Sequence, residues 1–398
     1  MTGIEERLSR TLERAAERAP RLAPSAGERL ETGYRRRRHR SRALLAAATV
    51  TVVAGGVVVG LRGVDGRALP AAGPSGAPSA RIGVTAEPVE KMWPQAVWRM
   101  PVRDSGGREL RPVTLIGDGT LLVKAGRKAE EPEVLYLYDL AGGHLRKITD
   151  VRRPGKGTVS AANFGVGEGV VAWSTSASTS VRLWTAPLNG GEARQVAEHE
   201  TAGDGVDGLA VAKGTIVFSV RKGGVFGVPV NGGRVTPVGR GAGLHLLSWP
   251  WAGSPGSWSP RDGAPFTHLV NLETGQTSDA APARRGERLL ACGVRSCVAT
   301  TPGGTRAFTL LRDGSRRQEV PTGFQVPEPP GQSRFHVRAL RGDAPDLGLY
   351  DLRTGRLADL GTADGATWAE VPVTDRAGRM MTYVIAKDRY VIDLSRIP

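Results

Sequence analysis

Leu135–Gly143 reads LYLYDLAGG: an alternating apolar and aromatic run, an aspartate at its end, and a turn containing two glycines. Alternation with period two marks a half-buried strand, and Asp followed by Gly supplies the local acceptor and the left-handed residues of a tight reversal. The unit returns as LWTAPLNGG (Leu183–Gly191), VFGVPVNGG (Val225–Gly233), LVNLETG (Leu269–Gly275), FTLLRDG (Phe308–Gly314) and LYDLRTG (Leu349–Gly355). A shorter copy, WRMP, precedes them at Trp98–Pro101, and YVIDL follows at Tyr390–Leu394. Markers near the strand ends, at 101, 139, 187, 229, 271, 311, 351 and 393, are 38, 48, 42, 42, 40, 40 and 42 residues apart.

Between successive copies lie two further short strands, such as Val113–Ile116 and Thr120–Val123 about Gly117-Asp118-Gly119, or Gly208–Val211 and Ile216–Val220 about Lys213-Gly214. Four strands repeating about every forty residues are a propeller blade. One such unit cannot cover its own faces, so neighbours stack, and closing the ring removes the open sheet edges. The fold class is therefore all-β. Seven intervals predict a seven-bladed β-propeller, with six and eight as the neighbouring counts. Ala96–Val102 is expected to complete the last blade, built otherwise by Thr367–Val373, Met381–Ala386 and Arg389–Leu394. A content of 54 Gly and 27 Pro in 398 residues suits many short strands and turns.

Upstream of the repeats the sequence changes character. Ala43–Leu61 (ALLAAATVTVVAGGVVVGL) holds nineteen residues without a charge. As a helix it would measure roughly 28 Å, close to the hydrocarbon thickness of a bilayer, and glycine is tolerated in such spans. A cleaved secretory signal is the competing reading, with Ala68-Leu69-Pro70-Ala71-Ala72 as its processing site. Forty-two preceding residues and nineteen apolar ones exceed what a signal peptide carries, and a retained signal anchor follows.

Charge sets the orientation. The net charge is +15, and residues 1–42 hold 12 Arg against 6 Glu, with Arg35, Arg36, Arg37, Arg38, Arg40 and Arg42 abutting the span. Residues 62–82 carry three arginines only. By the positive-inside rule the N-terminus is cytoplasmic and the bulk of the chain lies outside. The arginine run is accounted for by topology and anionic lipid headgroups, at about 1 kcal/mol per residue, and nucleic acid is the lesser reading.

The chain thus divides into a cytoplasmic Arg-rich head (1–42), a transmembrane helix (43–61), a flexible Pro/Gly/Ala linker (62–90) and an extracytoplasmic propeller (91–398). Within the head, residues 2–19 read as a short amphipathic helix: Thr2 and Glu5 have capping-box spacing, Ile4, Leu8 and Leu12 form a stripe, and Pro20 ends it.

The Asp-Leu-x-x-Gly and Asn-Gly-Gly hairpins over roughly residues 95–398 resemble those of bacterial TolB-type and WD-repeat-like propellers. The resemblance implies the fold; the Gly-His and Trp-Asp signatures of eukaryotic WD repeats are missing. The layout of residues 1–61 resembles bacterial membrane proteins that accompany extracytoplasmic-function sigma factors, which implies a cytoplasmic regulator of that kind as a partner. The head lacks the His-x3-Cys-x2-Cys zinc motif of many anti-sigma domains.

Cys292 and Cys297 flank a short polar turn between two apolar strands, and in an exported domain that spacing predicts a disulfide. The histidines at 39, 144, 199, 245, 268 and 336 fall one to a region, without metal-ligand spacing, so no metal site and no cofactor are expected. Asp204 and Asp207 share a Gly-rich stretch that lacks the other ligands of a calcium loop and reads as a turn.

No nucleophile elbow, Walker loop or dinucleotide fingerprint occurs, and no catalytic residue is assigned. Trp249, Trp251, Trp258 and Arg261 crowd into one Pro/Gly/Ser-rich segment, either as a partner-binding loop or as cover for the blades; the Pro-rich Val326–Pro330 is a second candidate loop. The function expected is a membrane-anchored binding or sensing scaffold. A hydrolase or lyase with its site at the channel mouth is the alternative, to be recognised by charged side chains converging there.

Overall fold

Asp139 ends β5 (Val134–Asp139), and its carboxylate accepts from the amides of Ala141 and Gly142 at 3.1 and 3.2 Å. That side-chain turn, with Gly143 at φ 69°, reverses the chain into β6 (Leu145–Asp150). Asn271 does the same for Glu273 and Thr274, Asp313 for Ser315, Asp351 for Arg353 and Asp393 for Ser395. Where the marker turn carries Asp or Asn, that side chain thus accepts from the amides of the turn; the copies at Pro187 and Pro229 have no such acceptor at that position.

The computed structural model describes residues 86–128, 131–151, 161–176, 179–201, 205–257, 263–320, 331–339, 347–361 and 368–398. The head, the apolar stretch 43–61 and the linker up to residue 85 lie outside these. Among the described residues no helix is long and apolar enough to cross a membrane.

These residues form seven four-stranded sheets, one per predicted blade. Blade 1 runs from β3 (Glu109–Ile116) to β6, blade 2 from β7 (Ala161–Gly167) to β10 (Arg194–Glu200), and blade 3 from β11 (Val206–Ala212) to β14 (Thr236–Pro237). Blade 4 runs from β15 (His245–Ser248) to β18 (Thr277–Asp279), and blade 5 from β19 (Arg288–Cys292) to β22 (Gln318–Val320). Within each of these five the strands pair antiparallel in sequence order.

The last two blades borrow from the start of the domain. β26 (Trp368–Thr374), β27 (Met380–Ile385) and β28 (Asp388–Asp393) form blade 7, and β2 (Val97–Pro101) adds antiparallel to β28, as the sequence predicts. Blade 6 consists of β23 (Phe335–Ala339), β24 (Leu347–Asp351) and β25 (Leu357–Asp359), and its fourth strand is β1 (Glu87–Pro88), parallel to β25. Composition places residues 87–90 in the linker; the structure moves them into the propeller. Val89, in the single turn α1 (Val89–Met92), and Trp93 are each 2% exposed within the cluster shared by blades 6 and 7, and that burial outweighs the linker-like composition around them.

Apolar side chains fill the seams between blades. Trp173 and Trp184 stack at 6.5 Å among the residues joining blades 1 and 2, and Phe218 lies in the seam of blades 2 and 3. The Asn-Gly-Gly turns serve the same seams through the backbone. Gly191 N donates to Ile148 O of blade 1 at 3.0 Å, and Gly233 N to Val196 O of blade 2.

Candidate functional site

Among the described residues a small apolar cluster of blade 5, Cys292, Cys297, Ala299 and Leu310, meets Ala280 on the connection from blade 4. Cys292 and Cys297 stand opposite each other in the pairing of β19 with β20 (Ser296–Thr300) and form the expected disulfide, S–S 2.04 Å. Beside them lies Arg312, 5% exposed, with all five N–H groups engaged. Nε donates to Ser278 Oγ, Nη1 to Phe266 O and Gly293 O, and Nη2 to Thr267 O and Ser278 O, at 2.6–3.0 Å. Burial lowers the pKa of this guanidinium, and carbonyl dipoles take the place of a carboxylate partner.

A second polar cluster faces the channel. Asp207, read from sequence as part of a turn, instead belongs to inner strand β11, because the apolar Val206–Ala212 run pairs with β12 (Thr215–Val220). Its carboxylate accepts from Ser219 Oγ and from His245 Nδ1, each at 2.5 Å, and the Ser219 hydroxyl accepts from Leu246 N at 2.8 Å. Asp204 lies outside the described residues.

From the opposite side of the ring comes Arg376, in the turn between β26 and β27. Asp375 braces that turn by accepting from Thr114 Oγ1, Arg379 N and Met380 N at 2.8–3.0 Å, and burial raises its pKa. Arg376 Nη2 donates to the carbonyl of Asp207, linking blade 7 to blade 3. Enclosure by the channel lowers the guanidinium's pKa while the Asp207 charge opposes that shift. Asp207, His245, Leu246, Leu247, Ser257, Phe266 and Arg376 line a cavity of about 90 Å³.

The order of the bonds decides what this cluster can do. In a hydrolytic triad the imidazole stands between hydroxyl and carboxylate, so that it can take the hydroxyl proton. Here the carboxylate stands between hydroxyl and imidazole, and Ser219 is fully buried. The cavity is also well below the roughly 300–1,000 Å³ of pockets that enclose drug-sized ligands.

The other sequence candidates are placed as follows. Trp249 and Trp251 are half-buried; Trp249 packs on the Val217–Leu246–Leu272 cluster joining blades 3 and 4, and Trp251 opens β16 (Trp251–Ser254). Trp258, Arg261, the Val326–Pro330 loop, and Arg35, Arg36, Arg37, Arg38, Arg40 and Arg42 lie outside the described residues. His336 is buried, His199 packs against Phe218 and Phe226, and His268 meets Asp279 at 2.6 Å. Among the described residues no group of three His, Cys, Asp or Glu could hold a metal ion. Sequence reasoning passed over Arg312 and Arg376, since nothing beside either in the chain announces its distant partners.

Fold and cluster together define a seven-bladed propeller whose channel carries a mutually bonded polar group. No family model matches the chain, and no curated protein does. Among solved structures it is similar to YCF48 bound to D1 peptide, at 10% identity over 75% of this chain and 100% of that one, TM-score 0.47. YCF48 from Cyanidioschyzon merolae (9%, 75% and 98%, 0.46) and the C-terminal WD40 domain of Sif2 (9%, 75% and 85%, 0.41) are similar at the same level. At these values the likenesses carry no argument about function, and the fold rests on the seven sheets themselves.

Proposed function

We propose that this chain is a single-pass membrane protein whose seven-bladed propeller stands outside the cytoplasm and acts by binding a protein partner, without catalysis. One observation carries the binding reading: Asp207 holds both Ser219 and His245, so the imidazole bonds the carboxylate rather than the hydroxyl, and that hydroxyl is fully buried. Charged groups do converge on the channel, which counts toward the hydrolase or lyase alternative; their bonding pattern counts against it. The membrane reading is supported by the nineteen uncharged residues of 43–61 behind an arginine run, and by a disulfide, a bond that persists in oxidising compartments.

In this reading the head meets the anionic inner leaflet and a cytoplasmic regulator such as a sigma factor. The propeller face, with the Trp249–Arg261 segment as one contact loop, meets a protein outside; the TolB-like grammar of the hairpins supports the same kind of role. The test is cross-linking in intact cells followed by detergent pull-down, comparing the full chain with a version lacking residues 1–34. A partner kept by both belongs to the propeller, and one lost with the head belongs to the cytoplasm. Absence of any specific partner in both would remove the scaffold reading.

A further inference from the structure

Resting on that binding role, we propose that the channel mouth at the start of the inner strands captures an acidic peptide segment: Arg376 takes a carboxylate in the cavity, and Arg284, Arg285 and Arg288 hold its acidic flank.

Arg376 is an exposed cation inside a channel, and among the described residues its single hydrogen bond goes to a backbone carbonyl. Among the described residues Arg376 makes no bond to the Asp207 carboxylate, whose oxygens accept from Ser219 and His245, so that charge acts on it only at longer range. Arg376 lines the 90 Å³ cavity, a space that suits the tip of one Asp or Glu side chain. A planar fork in a partly desolvated site is well matched to a carboxylate.

The rim supplies the rest. β11, β15 and β19 are the first strands of consecutive blades, and in a propeller such inner strands run the same way, so their first residues share one end of the channel; Arg376, on the turn that follows inner strand β26, reaches toward that end from the other through its bond to the Asp207 carbonyl. Asp207 and His245 stand near the starts of β11 and β15; Arg288 starts β19, with Arg284 and Arg285 on the connection feeding it. All three arginines are exposed, and among the described residues none of their side chains has a hydrogen-bond or ion-pair partner. The one carboxylate among them, Glu287, is engaged by Arg317. Blade 5 spends its other acids likewise, Glu319 on Arg306 and Asp313 on its own turn. A flat anionic lipid surface fits less well, since the central cation is recessed and Val373 is the single exposed large hydrophobic side chain among the described residues.

The experiment uses the full chain in detergent with a deca-glutamate peptide carrying a central benzophenone, and maps the cross-links by mass spectrometry. Cross-links to the arginine run of residues 35–42 serve as an internal reference. Cross-links to residues 205–257 or 374–380 should fall about tenfold in Arg376→Gln and in the triple variant Arg284→Gln/Arg285→Gln/Arg288→Gln. They should survive in Arg295→Gln/Arg316→Gln, and Arg376→Lys should lie between. Unchanged thermal midpoints establish that the variants fold; where Arg376→Gln unfolds, the triple variant carries the test. Cross-links confined to residues 1–42, equal yields in all variants, equal labelling by a deca-glutamine peptide, or complete competition by phosphatidylglycerol vesicles would each overturn the site. Should the cellular partner still be captured by Arg376→Gln and by the triple variant, the scaffold role stands and this site alone falls.

Discussion

Trp98 lies opposite Val391 in the antiparallel ladder of β2 and β28, so the first full strand of the propeller closes the sheet built by its last. The polypeptide between them makes the whole ring, and opening this ladder exposes two edges at once.

Removing residues 86–104 should therefore cost far more than removing linker. The segment carries β1, β2 and the buried Val89, Trp93, Ala96 and Met100; its loss leaves unpaired ladder groups, a cavity between blades 6 and 7 where the first three pack, and another between blades 7 and 1 where Met100 packs. Thermal unfolding of soluble versions beginning at residues 62, 86 and 105 checks this. The first two are expected to melt together, and the third to melt much lower or aggregate.

Arg312 should be a stability residue of the blade 4–5 seam. Truncation by Arg312→Ala strands four carbonyl acceptances and one hydroxyl acceptance in a buried site, and a loss on the order of 4 kcal/mol is expected. Arg312→Lys keeps the charge with three donors and should recover part of it. Denaturant unfolding monitored by tryptophan fluorescence reads the difference.

The repeat could be read from sequence because its cause is local. Asp139, Asn271 and Asp351 bond amides two or three residues ahead, so marker, turn glycine and strand alternation lie together in one short window. The Cys292–Cys297 pair was legible for the same reason. Glu87–Pro88 was not: a two-residue strand has no periodicity, and its partner Ala358–Asp359 lies 271 residues further along the chain. The channel cluster failed to show for a related reason, since Asp207, Ser219, His245 and Arg376 come from three blades and share no spacing.

Removing the disulfide by Cys292→Ser/Cys297→Ser should cost about 2 kcal/mol by the loop-entropy estimate for so short a closed loop. The midpoint should drop by a few degrees without change of fold. Thiol counting on protein isolated from cells under alkylating conditions should find no free cysteine, the result expected of an exported domain.

Acid should weaken the domain through His336. Burial lowers its pKa to about 4. Below the ordinary histidine value near 6.5 the unfolded chain takes up a proton that the folded one refuses, so stability falls as pH drops from about 6.5 to about 4. That window is worth about 3 kcal/mol. Urea midpoints measured from pH 7 to pH 4 should fall less steeply in His336→Gln, and an identical slope in both proteins would contradict the assignment.

The account as a whole turns on which side of a membrane the propeller stands. A reporter active only outside the cytoplasm, fused after Pro398 and separately at Met1, measures it directly in intact cells. Activity at the C-terminus with silence at the N-terminus is the predicted result. The reverse pattern, or a propeller released into the medium after cleavage near Ala72, would contradict the anchored, extracytoplasmic reading.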